Sequence, residues 1–202
     1  MSKVGVLISG RGTNLQALID AQREERLGGQ IALVISNVEG APGLERARQA
    51  GITALVRDHR GRPREAFDAQ LGEDLRAHGC DLVCLAGYMR LLSPLFISAF
   101  PCRVLNVHPA LLPAFPGLEA QRQAWEYGVK VSGATVHIVD EGLDSGPIVL
   151  QEAVPVRDGD SAESLAARIL EVEHRLYPRA VRLMLSGRYR IEGRRVIAMG
   201  DA

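Results

Sequence analysis

The sequence predicts an α/β fold, a three-layer α/β/α sandwich on a mostly parallel sheet with an antiparallel part near the C-terminus. Short apolar runs of strand length alternate with segments of helical period through the first half of the chain. The first such run closes in a glycine loop, Ser9-Gly-Arg-Gly-Thr-Asn14, that opens a helix. The alternation then gives way to strand patterns without a helix between them and a terminal hairpin around Glu192-Gly193.

Val4 to Ile8 is the first strand, and Leu15, Leu18 and Ile19 recur behind the loop at helical spacing. Ile31 to Ser36 is the second strand. Pro42 starts a helix that Gly51 stops, and Ile52 to Val56 is a third, short strand. A basic loop, Arg57 to Pro63, precedes a helix over Arg64 to His78. Asp81 to Ala86 is the fourth strand, and Ser93-Pro94 caps a short helix that reaches Phe100. The fifth strand is Val104-Leu-Asn-Val-His108. Gly117 to Gly128 reads as a helix with Trp125 in the core or against the neighbouring loop. Strands follow at Val131 to Val139 and Ile148 to Val156. Asp160 and Glu163 have capping-box spacing ahead of a long helix, Ser161 to Ser186, with a kink expected near Pro178 and a stop at Gly187.

In parallel sheets ligands bind beyond the carboxyl ends of the strands, so the Gly12 loop, the Met89 loop and the Asn106 strand end are expected to face one cleft. Asn106 and His108 are two apart on a strand and point to the same side. An amide N–H stabilises the negative oxygen of a tetrahedral intermediate, and imidazole moves a proton near neutral pH. The same pair would also serve as hydrogen-bonded loop-edge residues. The Gly12 loop lacks the third glycine of a dinucleotide fingerprint, where Leu15 stands, and Ser36-Asn37 replace its acidic residue, so no nicotinamide cofactor is expected. A Walker loop needs a lysine that is absent, since the chain has only Lys3 and Lys130. A mononucleotide or sugar-phosphate site and a plain helix-capping turn both fit what remains.

The 202 residues, 47% hydrophobic and 24% charged, suit one domain spanning residues 1–202. A formal charge of +0 with no polybasic tail offers nothing to nucleic acid or an anionic membrane. The 3 cysteines, Cys80, Cys84 and Cys102, suggest reduced, buried thiols in a cytoplasmic protein, and no set of side chains has zinc-ligand spacing, so no metal is expected. The apolar start is too short for a secretory signal, and no run approaches the ~20 apolar residues of a membrane helix.

Four separated stretches, Ser9 to Leu15, Leu85-Ala-Gly-Tyr-Met-Arg90, Asn106-Val-His-Pro-Ala-Leu-Leu-Pro113 and Val136 to Pro147, resemble the folate-dependent formyltransferase family. The Gly12-Thr13-Asn14 loop and the chain length narrow the likeness to its phosphoribosylglycinamide branch, and it runs to about Gly187. It implies a Rossmann-like formyltransferase fold with Asn106, His108 and Asp144 as catalytic residues. It places the ribosyl phosphate of glycinamide ribonucleotide at Gly12, Thr13 and Asn14, with Glu173 meeting the same substrate. It places the co-substrate 10-formyltetrahydrofolate against Arg64, the segment Met89, Arg90, Leu91 and Leu92, and the loop Val139, Asp140, Glu141 and Asp144. The expected oligomeric state is a monomer or homodimer. The chain departs from many relatives at Glu119, where they carry histidine.

On this reading Asp144 raises the pKa of His108 and holds it protonated. Formyl-methionyl-tRNA synthesis would call for a further domain to hold tRNA. A formyltetrahydrofolate hydrolase could use the same triad but usually carries an N-terminal regulatory domain. A non-catalytic nucleotide-binding module would need only the glycine loop.

Overall fold

Val4 to Ile8 are all buried, as in a strand covered on both faces, and they form most of β1 (Lys3–Ile8). The computed structural model to which they belong describes residues 1–200. It divides into two compact units, Met1–Leu105 and Asn106–Ala202.

In the first unit β1 pairs in parallel with β2 (Gln30–Ser36), β2 with β3 (Thr53–Val56), and β1 on its other side with β4 (Leu82–Leu85). Parallel neighbours require crossover connections, which the helices supply. After β1, α1 (Thr13–Arg23) buries Leu15, Leu18 and Ile19, the stripe the spacing predicts. Pro42 opens α2 (Pro42–Gln49). The third helix, α3 (Arg64–Ala77), buries Phe67, Leu71 and Leu75 at four-residue intervals and, on the same side, Asp68. Ser93 caps α4 (Pro94–Ala99), accepting the Phe96 N–H at 3.4 Å.

The strand β5 (Val104–His108) starts in the first unit, and its last three residues open the second. There β6 (Val131–Ile138), buried from Ser132 onward, pairs antiparallel with β7 (Ile148–Pro155). The hairpin β8 (Tyr189–Glu192) and β9 (Arg195–Ala198) is antiparallel, and β9 runs parallel to β7. The helix α6 (Ala162–Ser186) buries Leu165, Ile169, Val172, Leu176, Ala180 and Met184. Parallel strands in the first unit and mainly antiparallel ones in the second give the mixed α/β class the sequence predicts.

Three local expectations need correction. The helix α5 (Ala120–Tyr127) starts later than Gly117, because Glu119 has a left-handed backbone (φ 55°) that no helix can include. The capping box at α6 is Ser161 with Ser164; Asp160 instead accepts two hydrogen bonds from Arg168, at 2.7 and 2.8 Å. The helix α6 carries Pro178 in its interior, where the sequence places it. Cys102 is exposed, while Cys80 and Cys84 are buried. Trp125 lies against the neighbouring loop rather than in the core, donating from Nε1 to the Asp160 carbonyl at 2.7 Å. No helix among the described residues is long and apolar enough to cross a membrane.

Candidate active site

The end of β5 delivers Asn106 and His108 into one polar cluster of the second unit. His108 is 4% exposed. Its Nε2 lies 2.8 Å from the Phe115 carbonyl, which can only accept, so Nε2 carries a hydrogen. Its Nδ1 faces Asp144 Oδ2 at 3.4 Å. From β6 comes His137, 2% exposed, whose Nδ1 donates to the Ile138 carbonyl at 3.1 Å. In the neutral ring Nε2 is then the acceptor, and it lies 3.3 Å from Asn106 Nδ2 and 3.6 Å from Asp144 Oδ1. His137 therefore sits between the amide and the carboxylate. The sequence marks it only as a residue of the strand Val131 to Val139, with no part in the site.

Two residues fix the base of the loop that follows His108. Thr135 Oγ1 donates to the Ala110 carbonyl at 2.7 Å and accepts the Leu112 N–H at 3.1 Å. Gln151 Nε2 donates to the Leu112 carbonyl at 2.8 Å and to Thr135 Oγ1 at 2.9 Å. Further along, Gly117 N–H donates to Asp144 Oδ2 at 2.8 Å, tying this loop to the carboxylate.

Asp144 reaches the cluster from a turn of unusual backbone. Its φ is 49°, a region that side chains other than glycine seldom adopt. Around it, Asp140 Oδ1 accepts from Gly142 N–H at 3.1 Å and from Ser145 Oγ at 2.7 Å. Gly146 closes the turn, since a Cβ there would stand 1.8 Å from the Ile138 carbonyl oxygen. Asp-Ser-Gly-Pro is thus a turn that the surrounding bonds force to aim a carboxylate inward.

The electrostatics correct one expectation. Burial pushes the His108 pKa below its ordinary value; the Phe115 carbonyl and the Asp144 charge pull it back up, and His137 pushes it down. Burial prevails, so the resting imidazole is neutral near neutral pH rather than held protonated. Asp144 remains ionised. Burial works to raise its pKa, but the adjacent His137, the Gly117 amide and the charge of His108 bring it below the usual carboxylate value.

Glu173 is on α6 and buried. Val139 and Asp140 are partly shielded, whereas Glu141 is exposed at the turn.

In the first unit Gly12 is the N-terminal cap residue of α1, with φ 71° and no side-chain cap, and Thr13 and Asn14 form the first turn. The loop packs on α2: Gly43 N–H donates to the Gly10 carbonyl at 3.0 Å, and Arg46 Nε to the Arg11 carbonyl at 2.9 Å. Ser9, which the sequence reading left unassigned, joins this loop to the next. Its Oγ donates to Asn37 Oδ1 at 2.6 Å and accepts the Met89 N–H at 2.9 Å, while its own N–H donates to the Gly87 carbonyl at 3.1 Å. The expected phosphate loop and the expected folate segment are therefore neighbours. Met89 and Leu91 are exposed, Leu92 is half-buried, Arg90 stacks on the Phe67 ring with 5.3 Å to its centroid, and Arg64 stands exposed at the start of α3.

An amide donor, a titratable imidazole and an ionised carboxylate in a largely dry cluster suit acyl transfer through a negative tetrahedral oxygen. Comparison with known proteins agrees with that chemistry. A family model described as formyl transferase matches residues 2–181. Over 188 residues the chain is 50% identical to the trifunctional purine biosynthetic protein adenosine-3 of Drosophila melanogaster, covering 92% of this chain but 14% of that protein. The chain thus spans about one seventh to one fifth of the trifunctional relatives it matches. It is 46% identical to the phosphoribosylglycinamide formyltransferase of Escherichia coli strain K12, covering 92% of this chain and 88% of that one. A crystal structure of glycinamide ribonucleotide transformylase 1 from Symbiobacterium toebii superposes with a TM-score of 0.97 at 61% identity, covering 99% of this chain and 95% of the other.

Proposed function

Because the chain belongs to the formyl transferase family, we propose that it moves the formyl group of 10-formyltetrahydrofolate to the amine of 5-phosphoribosylglycinamide, a step of purine synthesis. The observation that carries this reading is the buried cluster of Asn106, His108 and Asp144. The relatives named for glycinamide formylation support the choice of acceptor. The matched span crosses both units, which supports reading them as parts of one formyltransferase domain.

The substrate amine attacks the formyl carbon, and the carbonyl oxygen becomes negative. Asn106 donates an N–H to that oxygen. The attacking nitrogen must lose a proton and the departing folate nitrogen must gain one. Neutral His108 takes the first and, as imidazolium beside Asp144, gives it to the second. Asp144 is thus most useful during the reaction, when it faces a charged ring. The Gly12, Thr13 and Asn14 turn offers main-chain amides at a helix N-terminus to the ribosyl phosphate, and Glu173 meets the same substrate. Arg64, Met89 to Leu92 and Val139 to Glu141 hold the folate.

Purified protein given 10-formyltetrahydrofolate labelled at the formyl carbon, with and without glycinamide ribonucleotide, tests the reading. Label in formylglycinamide ribonucleotide, and only when the acceptor is present, is the expected result. Label released as formate in both cases would make the protein a hydrolase.

A further inference from the structure

We infer that Asp68 is a positioning residue for the folate-binding segment: its carboxylate holds the Ser93 backbone N–H and so sets the turn that presents Met89 to Leu92. The inference rests on the formylfolate reading given above.

Asp68 lies on the core side of α3 beside Phe67 and is 1% exposed. An apolar side chain there would simply continue the buried stripe of Phe67, Leu71 and Leu75. A carboxylate in such a place is costly unless it is bonded or paired. It is bonded: Oδ2 accepts from Ser93 N–H at 2.6 Å, a charge-assisted bond inside the core. Ser93 is itself wholly buried, and it both follows the segment directly and caps α4. One carboxylate thus fixes the point at which the loop becomes a helix.

The rest of the segment is held from the same helix. Arg90 stacks on Phe67, the residue before Asp68. Asp68 Oδ1 and Arg90 Nε are both shielded from solvent and make no hydrogen bond to the described residues. Tyr88, the residue before Met89, feels both charges. Burial raises its phenol most, the Asp68 charge raises it further, and Arg90 opposes. With Met89 N–H held by Ser9 Oγ, the backbone is pinned on either side of the segment, and the Arg90 side chain is held between. Met89 and Leu91 are nevertheless 68% and 61% exposed. Apolar side chains standing free on a fixed backbone make a ledge for a flat aromatic ligand, and Asp68 supplies one of the pins.

Asp68→Ala removes the acceptor, whereas Asp68→Asn keeps an oxygen for Ser93 N–H. Steady-state kinetics with both substrates, together with thermal unfolding, separates the outcomes. The alanine variant is expected to raise the KM for 10-formyltetrahydrofolate about tenfold, the scale of a lost hydrogen bond to a charged group, and to leave kcat and the ribonucleotide KM within about twofold. The asparagine variant is expected to restore most of the loss. Asp68→Ser, too short to reach Ser93, gives the same reading should the alanine variant fail to fold. Equal rises in both KM values, or a lowered Tm with an unchanged folate KM, would overturn the inference. An asparagine variant as damaged as the alanine one would do so too. Wild-type protein that does not use formylfolate overturns both readings; wild-type protein that does, with a folate KM blind to Asp68→Ala, overturns this one alone.

Discussion

His108 Nδ1 and Asp144 Oδ2 stand 3.4 Å apart with both side chains nearly buried, 5% and 11% exposed. The distance is long for a hydrogen bond and short for a charge interaction. In the resting protein, where burial keeps the ring neutral, the carboxylate acts on the ring's affinity for a proton more than on its position. Asp144→Asn therefore removes the charge that raises the His108 pKa and leaves the burial that lowers it. The acidic limb of the kcat profile, where the ring must shed its proton to act, is expected to move to lower pH. An unmoved limb would separate the two residues functionally.

Asn106 is set by a different contact. His137 Nε2 receives one N–H of its amide, which turns the nitrogen rather than the oxygen toward β6 and leaves the second N–H to meet a developing negative oxygen. Asn106→Ala is expected to keep the circular dichroism of the wild type and lose kcat by about 10²- to 10³-fold, or roughly 3 to 4 kcal/mol, as for one lost oxyanion donor. Asn106→Asp keeps the size and removes both N–H donors, so it should be at least as poor. An active aspartate variant would argue against the oxyanion role.

Much of this was legible in the chain. The strands could be found because the apolar runs within β1, β2 and β4 are unmixed, and the two-residue period of β5 placed Asn106 and His108 on one side. His137 was legible only as a residue of the strand Val131 to Val139. Which side chain it meets depends on a partner 31 residues away, and no local pattern reports that. Phe115 was hidden for another reason: it acts through its carbonyl, which every residue has. The charge state of His108 also escaped, because sequence names its carboxylate neighbour but not the extent of burial that outweighs it. The start of α5 was misplaced because the residues from Gly117 onward satisfy helical spacing, while the left-handed backbone at Glu119 is imposed by the loop before it.

The depressed pKa values of His108 and Asp144 give stability a pH dependence of known sign. For His108 the ordinary value is 6.5 and the folded one lies below it, so between the two the unfolded chain holds more protons. Folding is fully supported above 6.5 and loses support as pH falls through that window. Asp144 adds a loss of the same sign below its ordinary 3.8. The Tm of the wild type is expected to fall between about pH 8 and about pH 5.5, and the fall should be smaller in His108→Gln, which has no ring to protonate. Equal falls in the two proteins would place the responsible group elsewhere.

Gly12 offers the sharpest test of the ribonucleotide loop, because two physical demands meet at one residue. Its φ of 71° is a left-handed backbone, which costs a side chain about 1 to 2 kcal/mol. A Cβ there would also stand 2.6 Å from the Cα of Gly43, a main-chain atom that cannot rotate out of the way. The loop must then shift off α2, and the amides of the first turn of α1 shift with it. Gly12→Ala is accordingly expected to lower Tm by a few degrees and to raise the KM for glycinamide ribonucleotide much more than that for 10-formyltetrahydrofolate. Thr13→Ala separates the two effects. Its backbone imposes no such strain, so Tm should stay near the wild type while ribonucleotide binding weakens through the lost hydroxyl alone. If Gly12→Ala lowered Tm but left the ribonucleotide KM untouched, the loop would be a helix cap packed on α2, and the phosphate would have to bind elsewhere.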